Sequence, residues 1–175
     1  MIIIITGASH SGKTMLAQKL LEKYKYPYLS LDHLKMGLIR SGQTSLNVYE
    51  DEKLTNYMWP IVVGIIKTAI ENKQNLIVEG IYIPISWKDD FSGDYLNSIS
   101  FICLALSKDY IINHIDDIKN KSNVIEKRLE DDIKIDDLIK ENQLYIDSFK
   151  DDALIINDDY EDTIKAFLES KDYYG

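Results

Sequence analysis

Short runs of apolar, β-branched residues alternate along the chain with longer stretches in which apolar residues recur every three or four positions. Ile2-Ile3-Ile4-Ile5, Tyr28-Leu29-Ser30-Leu31, Leu76-Ile77-Val78, residues 99–106 and Leu154-Ile155-Ile156 read as strands, short and continuous enough to be buried on both faces. Residues 15–21 carry helical spacing, and a second helix is expected from His33 to about Arg40, closed by Ser41-Gly42. Asn47-Val48-Tyr49-Glu50 has capping-box form ahead of a long helix whose first turn gathers Glu50, Asp51 and Glu52. Along that helix Leu54, Met58, Ile61, Val62, Ile65, Ile66, Ala69 and Ile70 form one apolar stripe, and Pro60 is expected to kink it. Residues 81–97, with Pro84, Trp87 and Gly93, read as loop with some helix, and Trp59, Trp87 and Tyr82 as core or as the lining of a pocket.

From Asp94 to Tyr174 there is neither glycine nor proline. Two or three helices are predicted there, one through Ile111, Ile112 and Ile115, one around residues 124–132, and one from Ile135 to about Lys150. Strands alternating with helices predict an α/β fold with a mostly parallel five-stranded sheet, helices on both faces and right-handed crossovers. With no repeat and no linker in 175 residues, a single domain spanning 1–175 is expected.

Where the first strand meets the first helix stands Gly7-Ala8-Ser9-His10-Ser11-Gly12-Lys13-Thr14, a full match to the Walker A phosphate loop G-x-x-x-x-G-K-[ST]. Glycines let the backbone wrap a phosphate chain, and successive N–H groups and the positive helix end point at it. Lys13 adds a full charge, and the Thr14 hydroxyl is suited to Mg²⁺. The loop therefore predicts a nucleoside triphosphate as ligand, with His10 a surface side chain at one of its variable positions.

Composition narrows the partners. A formal charge of −9 opposes a long nucleic-acid footprint, because a polyanion needs a basic field. Arg40 and Arg128 are the only arginines, so any bidentate clamp on phosphate falls to them. The one cysteine, Cys103, lies in an apolar strand and suits a reducing compartment as buried filler. No apolar run is long enough to cross a bilayer and no basic stretch precedes the first isoleucines, so no membrane is expected and a cytoplasmic location is. The three histidines are too scattered for a metal site.

In open α/β sheets ligands sit beyond the carboxyl ends of the strands, where Thr6-Gly7, Asp32, Glu79, Ser107 and Asn157 fall. Two carboxylates thus lie beside the loop, one suited to the metal or its waters and one to an acceptor's proton. Asp32 also fits the N-cap of the next helix, and Glu79 a turn before Gly80. Asp90-Phe91-Ser92-Gly93 spells the D-x-x-G of a GTPase switch, but eleven residues past the strand end at Glu79.

The loop after the first strand, Asp32 closing the second, Glu79-Gly80 closing the third and a late arginine-bearing helix together resemble the P-loop kinases of the adenylate kinase-like fold. Residues 29–42 and Ile77-Val78-Glu79-Gly80 are also similar to small bacterial proteins labelled adenylate kinase or 2-phosphoglycerate kinase. The resemblance implies a three-layer P-loop NTPase fold with a helical lid within residues 108–150, ATP and Mg²⁺ as cofactors, and a small-molecule acceptor. It implies the donor on residues 7–14 and the metal on Thr14 and Glu79. Catalysis would fall to Lys13, to Asp32 as the group that orients or deprotonates a hydroxyl, and to Arg128 as a lid arginine, with Lys127 a weaker candidate. Asp32, Lys35, Arg40 and Glu79 would face the acceptor, with Lys35 or Arg40 suited to an anionic one, and the turn at Asn157 to Tyr160 the adenine. Adenylate kinases carry an arginine four residues past the position of Asp32; Met36 stands there, which favours a hydroxyl acceptor over AMP. As surface residues, Lys35 and Arg40 need no role, and Arg128 fits a helix pair with Asp132. Two readings stay beside the hydroxyl kinase: a nucleoside monophosphate kinase, and a nucleotide-binding switch without a dedicated acceptor.

Overall fold

Four consecutive isoleucines can all be buried only where a strand is covered on both sides, and that is how the chain begins. In a computed structural model, which describes residues 1–121 and 134–171, β1 (Ile2–Gly7) is buried throughout and occupies the centre of a five-stranded sheet. Its alternate side chains go to opposite layers. Ile3 and Ile5 pack with α1 (Lys13–Tyr24), and Ile2 and Ile4 pack under α3 (Asp51–Glu71). Each fully buried side chain of this size contributes about 1.5–3 kcal/mol.

The strand order is β2-β3-β1-β4-β5, with β2 (Tyr28–Ser30), β3 (Leu76–Glu79), β4 (Ile99–Leu106) and β5 (Ala153–Ile156). Every pairing is parallel, so all five carboxyl ends lie along one edge. The order reverses direction between β1 and its neighbours β3 and β4, and that is where the glycine loop emerges.

The described helices include α2 (Leu31–Arg40), the short α4 (Gly93–Leu96), α5 (Lys108–Lys121), α6 (Ile135–Phe149) and α7 (Tyr160–Ser170). With α1, the helices α5 and α7 cover one face through Ile111, Ile118 and Ile164, while α3 and residues 82–91 cover the other. Among the described residues no helix is long and apolar enough to cross a membrane.

Several elements depart from expectation. β2 stops at Ser30 because Leu31, fully buried, already opens α2, which places Asp32 in the first helical turn rather than at the cap. The long helix starts at Asp51: Glu50 accepts from the Asn47 backbone and side-chain nitrogens at 2.9 and 2.8 Å, while Asn47 Oδ1 turns to Tyr49 N, so only half of a capping box forms. On α3 the stripe rotates towards Trp59 and Val63, leaving Ile61 and Ile65 exposed beside a hollow of about 820 Å³ that Tyr24, Tyr26 and Leu76 also line. That hollow sits at the amino end of β3, away from the loop, and no carboxylate lines it. α7 is an addition to the elements the hydrophobic pattern predicts. The expected helix around residues 124–132 lies outside the described residues.

Candidate active site

The phosphate loop is held from three directions. Gly7 ends β1 with φ +141°, against the Leu104 backbone of β4, where no side chain fits. Gly12 leads into α1 with φ +90°, and a Cβ there would stand 2.5 Å from the ring of Tyr160. The Tyr160 hydroxyl donates to the Gly12 carbonyl at 2.8 Å, so the first residue of α7 pins the loop against α1. Burial pushes the Tyr160 phenol well above its ordinary range, with the Glu161 charge adding to it, so it remains a donor at neutral pH.

Lys13 is buried and curls back over the loop, its Nζ donating to the Ala8 carbonyl at 2.6 Å. Ser11, also buried, has an Oγ with no hydrogen-bond partner among the described residues. An ammonium, an orphaned hydroxyl and the N-terminus of a twelve-residue helix converging on one glycine turn fit a polyphosphate. On the outer side, Ser9 N and Ser9 Oγ donate to Glu141 Oε1 of α6 at 2.9 and 3.0 Å. A carboxylate of the chain itself therefore takes a loop N–H of the kind an anion uses.

Beside the loop stand the acids of the neighbouring strand ends. Glu79 is 2% exposed, lies between Ile5 and Ser30 in the ladder, and accepts from Thr14 Oγ1 at 3.3 Å. Ser30, paired with Glu79 and so on the same face, is buried with an unpartnered Oγ. Among the described residues no three His, Cys, Asp or Glu side chains gather to hold a metal. A hydroxyl next to a carboxylate still suits Mg²⁺, which takes few protein ligands and completes its shell with waters and phosphate oxygens.

Further along this edge a second group forms. Lys35 Nζ pairs with Asp32 Oδ1 at 2.9 Å, one turn along α2, and donates to the Tyr82 hydroxyl at 2.7 Å. That hydroxyl in turn donates to Asp51 Oδ1 at 2.9 Å, at the start of α3. The ring of Tyr82 is core, as expected, while its hydroxyl joins this polar group. Tyr145 of α6 lies near by: burial drives its phenol well above the ordinary range, with the charges of Glu141, Cys103 and Asp51 contributing.

The remaining sequence candidates are placed as follows. Arg40 is exposed at the far end of α2, about 12 Å from Asp32 along the axis. Asn157 is exposed just past β5, in the turn that delivers Tyr160 to the loop. His10 is half-buried in the loop, with φ +60°. Arg128 and Lys127 lie outside the described residues. Asp90 of the D-x-x-G spelling accepts from Trp59 Nε1 at 2.8 Å, a core-edge contact with no part in the site. Cys103 is fully buried, and its thiol is pushed up to about 12 by burial.

Sequence reasoning missed Glu141 and Asn142, and named Tyr160 only as the end of the turn expected at the adenine, not as a contact of the loop. Asn142 is 1% exposed; its Oδ1 accepts from Leu106 N at 2.7 Å and its Nδ2 donates to Leu138 O at 2.8 Å, fastening α6 to the carboxyl end of β4. The signal was an amide on the stripe Leu138, Asn142, Tyr145, Phe149, where an apolar residue is expected.

No protein-family model matches the chain, and no curated protein matches it by sequence. Solved structures do. A sugar kinase from Janibacter superposes over 96% of this chain and 92% of its own, at TM-score 0.56 and 14% identity. For the deoxyadenosine kinase from M. mycoides the shares are 97% and 98%, at TM-score 0.53 and 17% identity. The fold is that of the P-loop kinases. A shikimate kinase from Aquifex aeolicus shares it, at TM-score 0.50 and 17% identity over 97% of this chain and 95% of the other. In this P-loop kinase fold the glycine loop, Glu79 and the Asp32 group lie together along the carboxyl edge of the sheet.

Proposed function

We propose that the protein is an ATP- and Mg²⁺-dependent phosphotransferase that moves the terminal phosphate of ATP to a hydroxyl of a small molecule. The observation that carries the reading is the contact of the loop threonine with a buried strand-end carboxylate, Thr14 Oγ1 to Glu79 Oε1 at 3.3 Å, one residue past a lysine folded into the loop. A bare phosphate cradle has no use for that carboxylate, whereas phosphoryl transfer needs an acid beside the metal position. The neighbours of the same fold are named for nucleoside, shikimate and sugar substrates, which supports a small acceptor without choosing one.

The roles follow from chemistry. The amides of residues 8–14 and the ammonium of Lys13 hold the donor phosphates. Thr14 and Glu79 would hold Mg²⁺, directly or through water; bound there, the ion would neutralise charge between the terminal phosphates. Asp32 takes the proton of the acceptor hydroxyl as its oxygen bonds to phosphorus; the bond from that phosphorus to the ADP oxygen breaks, and ADP leaves with the electron pair. Lys35, paired with Asp32 at 2.9 Å, fixes the direction of that carboxylate. Arg128 is proposed to close over the transferring group, where a guanidinium meets charge spread over several oxygens. Asn157 and its turn would face the base.

The test is ADP release with Mg²⁺-ATP over a panel of hydroxyl compounds and nucleoside monophosphates, run for the wild type and Asp32→Asn. The expected outcome is turnover of a hydroxyl compound and a loss of about 10²–10⁴ in kcat in the variant. AMP as the sole acceptor, with full rate retained in Asp32→Asn, contradicts the assignment.

A further inference from the structure

We infer that the acceptor carries no anionic group: it is a polyhydroxyl compound that is neutral or bears an amine. This rests on the phosphotransferase reading and deepens it, because among the described residues the polar chain beside the loop leaves no unneutralised cation for a second anion.

That chain runs Asp32, Lys35, Tyr82, Asp51. The Lys35 side chain is 13% exposed; its ammonium forms an ion pair with Asp32 Oδ1, donates to the Tyr82 hydroxyl, and lies 5.0 Å over the Tyr82 ring. Tyr82 passes the connection on to Asp51 at 2.9 Å. Two carboxylates against one ammonium leave a formal charge of −1, and the carboxylate of Glu79 follows at the end of the adjoining strand. Lys13 serves the phosphate loop, and Arg40 is a helix length away. A phosphate or carboxylate on the acceptor would find Lys35 already neutralised by Asp32, and would meet it beside the carboxylates of Asp32 and Asp51. Repulsion of that kind is how a site rejects a competitor.

Hydroxyls and amines meet the opposite situation. Asp32 and Asp51 each use Oδ1 in the chain, and each keeps Oδ2 to accept from an O–H or N–H. Adjacent hydroxyls fit two acceptors bridged by a tyrosine, and an ammonium would complete the charge. The same Asp32 that anchors the acceptor also stands to take its proton, so recognition and reaction share one carboxylate.

Matched pairs test the charge rule: a nucleoside against its monophosphate, an aldose against its aldonic acid, and an amino sugar against its sugar phosphate. Saturation-transfer NMR without nucleotide reads binding alone, and ADP release with Mg²⁺-ATP reads turnover. The uncharged or amine-bearing member is expected to bind and to be favoured at least about tenfold in kcat/KM. In Asp51→Asn that preference is expected to shrink several-fold; an unchanged preference takes Asp51 out of the account. An anionic member bound or turned over in preference overturns the inference. Binding of the uncharged member with no ADP release leaves the charge rule standing and overturns phosphotransfer instead. Failure of every member to bind overturns the acceptor site itself.

Discussion

Glu79 is a carboxylate at the tip of a central strand, 2% exposed and flanked in the ladder by Ile5 and Ser30. A charge in such a place costs stability unless something charged or strongly polar meets it, and the Thr14 hydroxyl does so at 3.3 Å. If its purpose is the metal, Glu79→Gln should leave the fold intact, with the melting temperature unchanged or raised, because an amide is easier to bury. The Mg²⁺ concentration giving half-maximal ADP release should rise by at least about tenfold. An unchanged magnesium requirement would make Glu79 a purely structural residue. Asp32, half-buried and only one turn from Lys35, is built differently, which suits a group that meets changing substrates.

At the scale of elements, the loop is fastened by two helices that come late in the chain. α7 grips Gly12 through Tyr160, and α6, held to β4 by Asn142, places Glu141 on Ser9. The Glu141 carboxylate competes with phosphate for the Ser9 N–H, so Glu141→Ala is expected to tighten nucleotide binding by about three- to tenfold in a fluorescent-nucleotide titration. Weaker binding in that variant would show that the contact shapes the loop for its ligand rather than blocking it. None of this was legible from local sequence, since Ser9 and Glu141 are 132 positions apart and Gly12 and Tyr160 are 148. What local sequence carries is steric and periodic. Gly7 and Gly12 are demanded by backbone geometry, and the isoleucines of β1 by burial on both faces, so strand, loop and first helix could be read directly. The spacing on α3 predicts a stripe two residues too wide, because nothing in it says where the covering layer stops and Ile61 and Ile65 begin to face solvent. The pattern puts Asp32 at a strand end for a related reason: Leu31 is apolar enough for either a strand or the first turn of a helix, and packing beneath Gly80 decides for the helix.

For the whole molecule, the parallel sheet collects every strand end on one edge, which brings five separate sequence signals together. Parts of that edge can be named from sequence because strand ends are visible in the hydrophobic pattern; the Tyr82 bridge between Lys35 and Asp51 cannot, because it joins three elements. Burial also ties global stability to alkaline pH. The Cys103 thiol is raised from the ordinary 9.0 to about 12, and the Tyr145 and Tyr160 phenols lie above their ordinary 10.0. The folded chain therefore holds these protons after the unfolded chain has released them. Stability from this source is complete below pH 9 and falls as pH rises from there through the folded-state values. A melting temperature followed from pH 8 to pH 11 is expected to fall steadily above about pH 9, and Cys103→Ser to flatten the early part of that fall. A flat profile would contradict the burial of these groups.

The proposed chemistry requires the loop to grip a triphosphate through Lys13. Calorimetric titration of Mg²⁺-ATP into the wild type and into Lys13→Met tests this directly. One nucleotide per chain is expected in the wild type, with affinity at least about tenfold lower in the variant, as loss of a buried charge-assisted contact requires. Equal affinity in the two proteins, or no binding by the wild type, would contradict it.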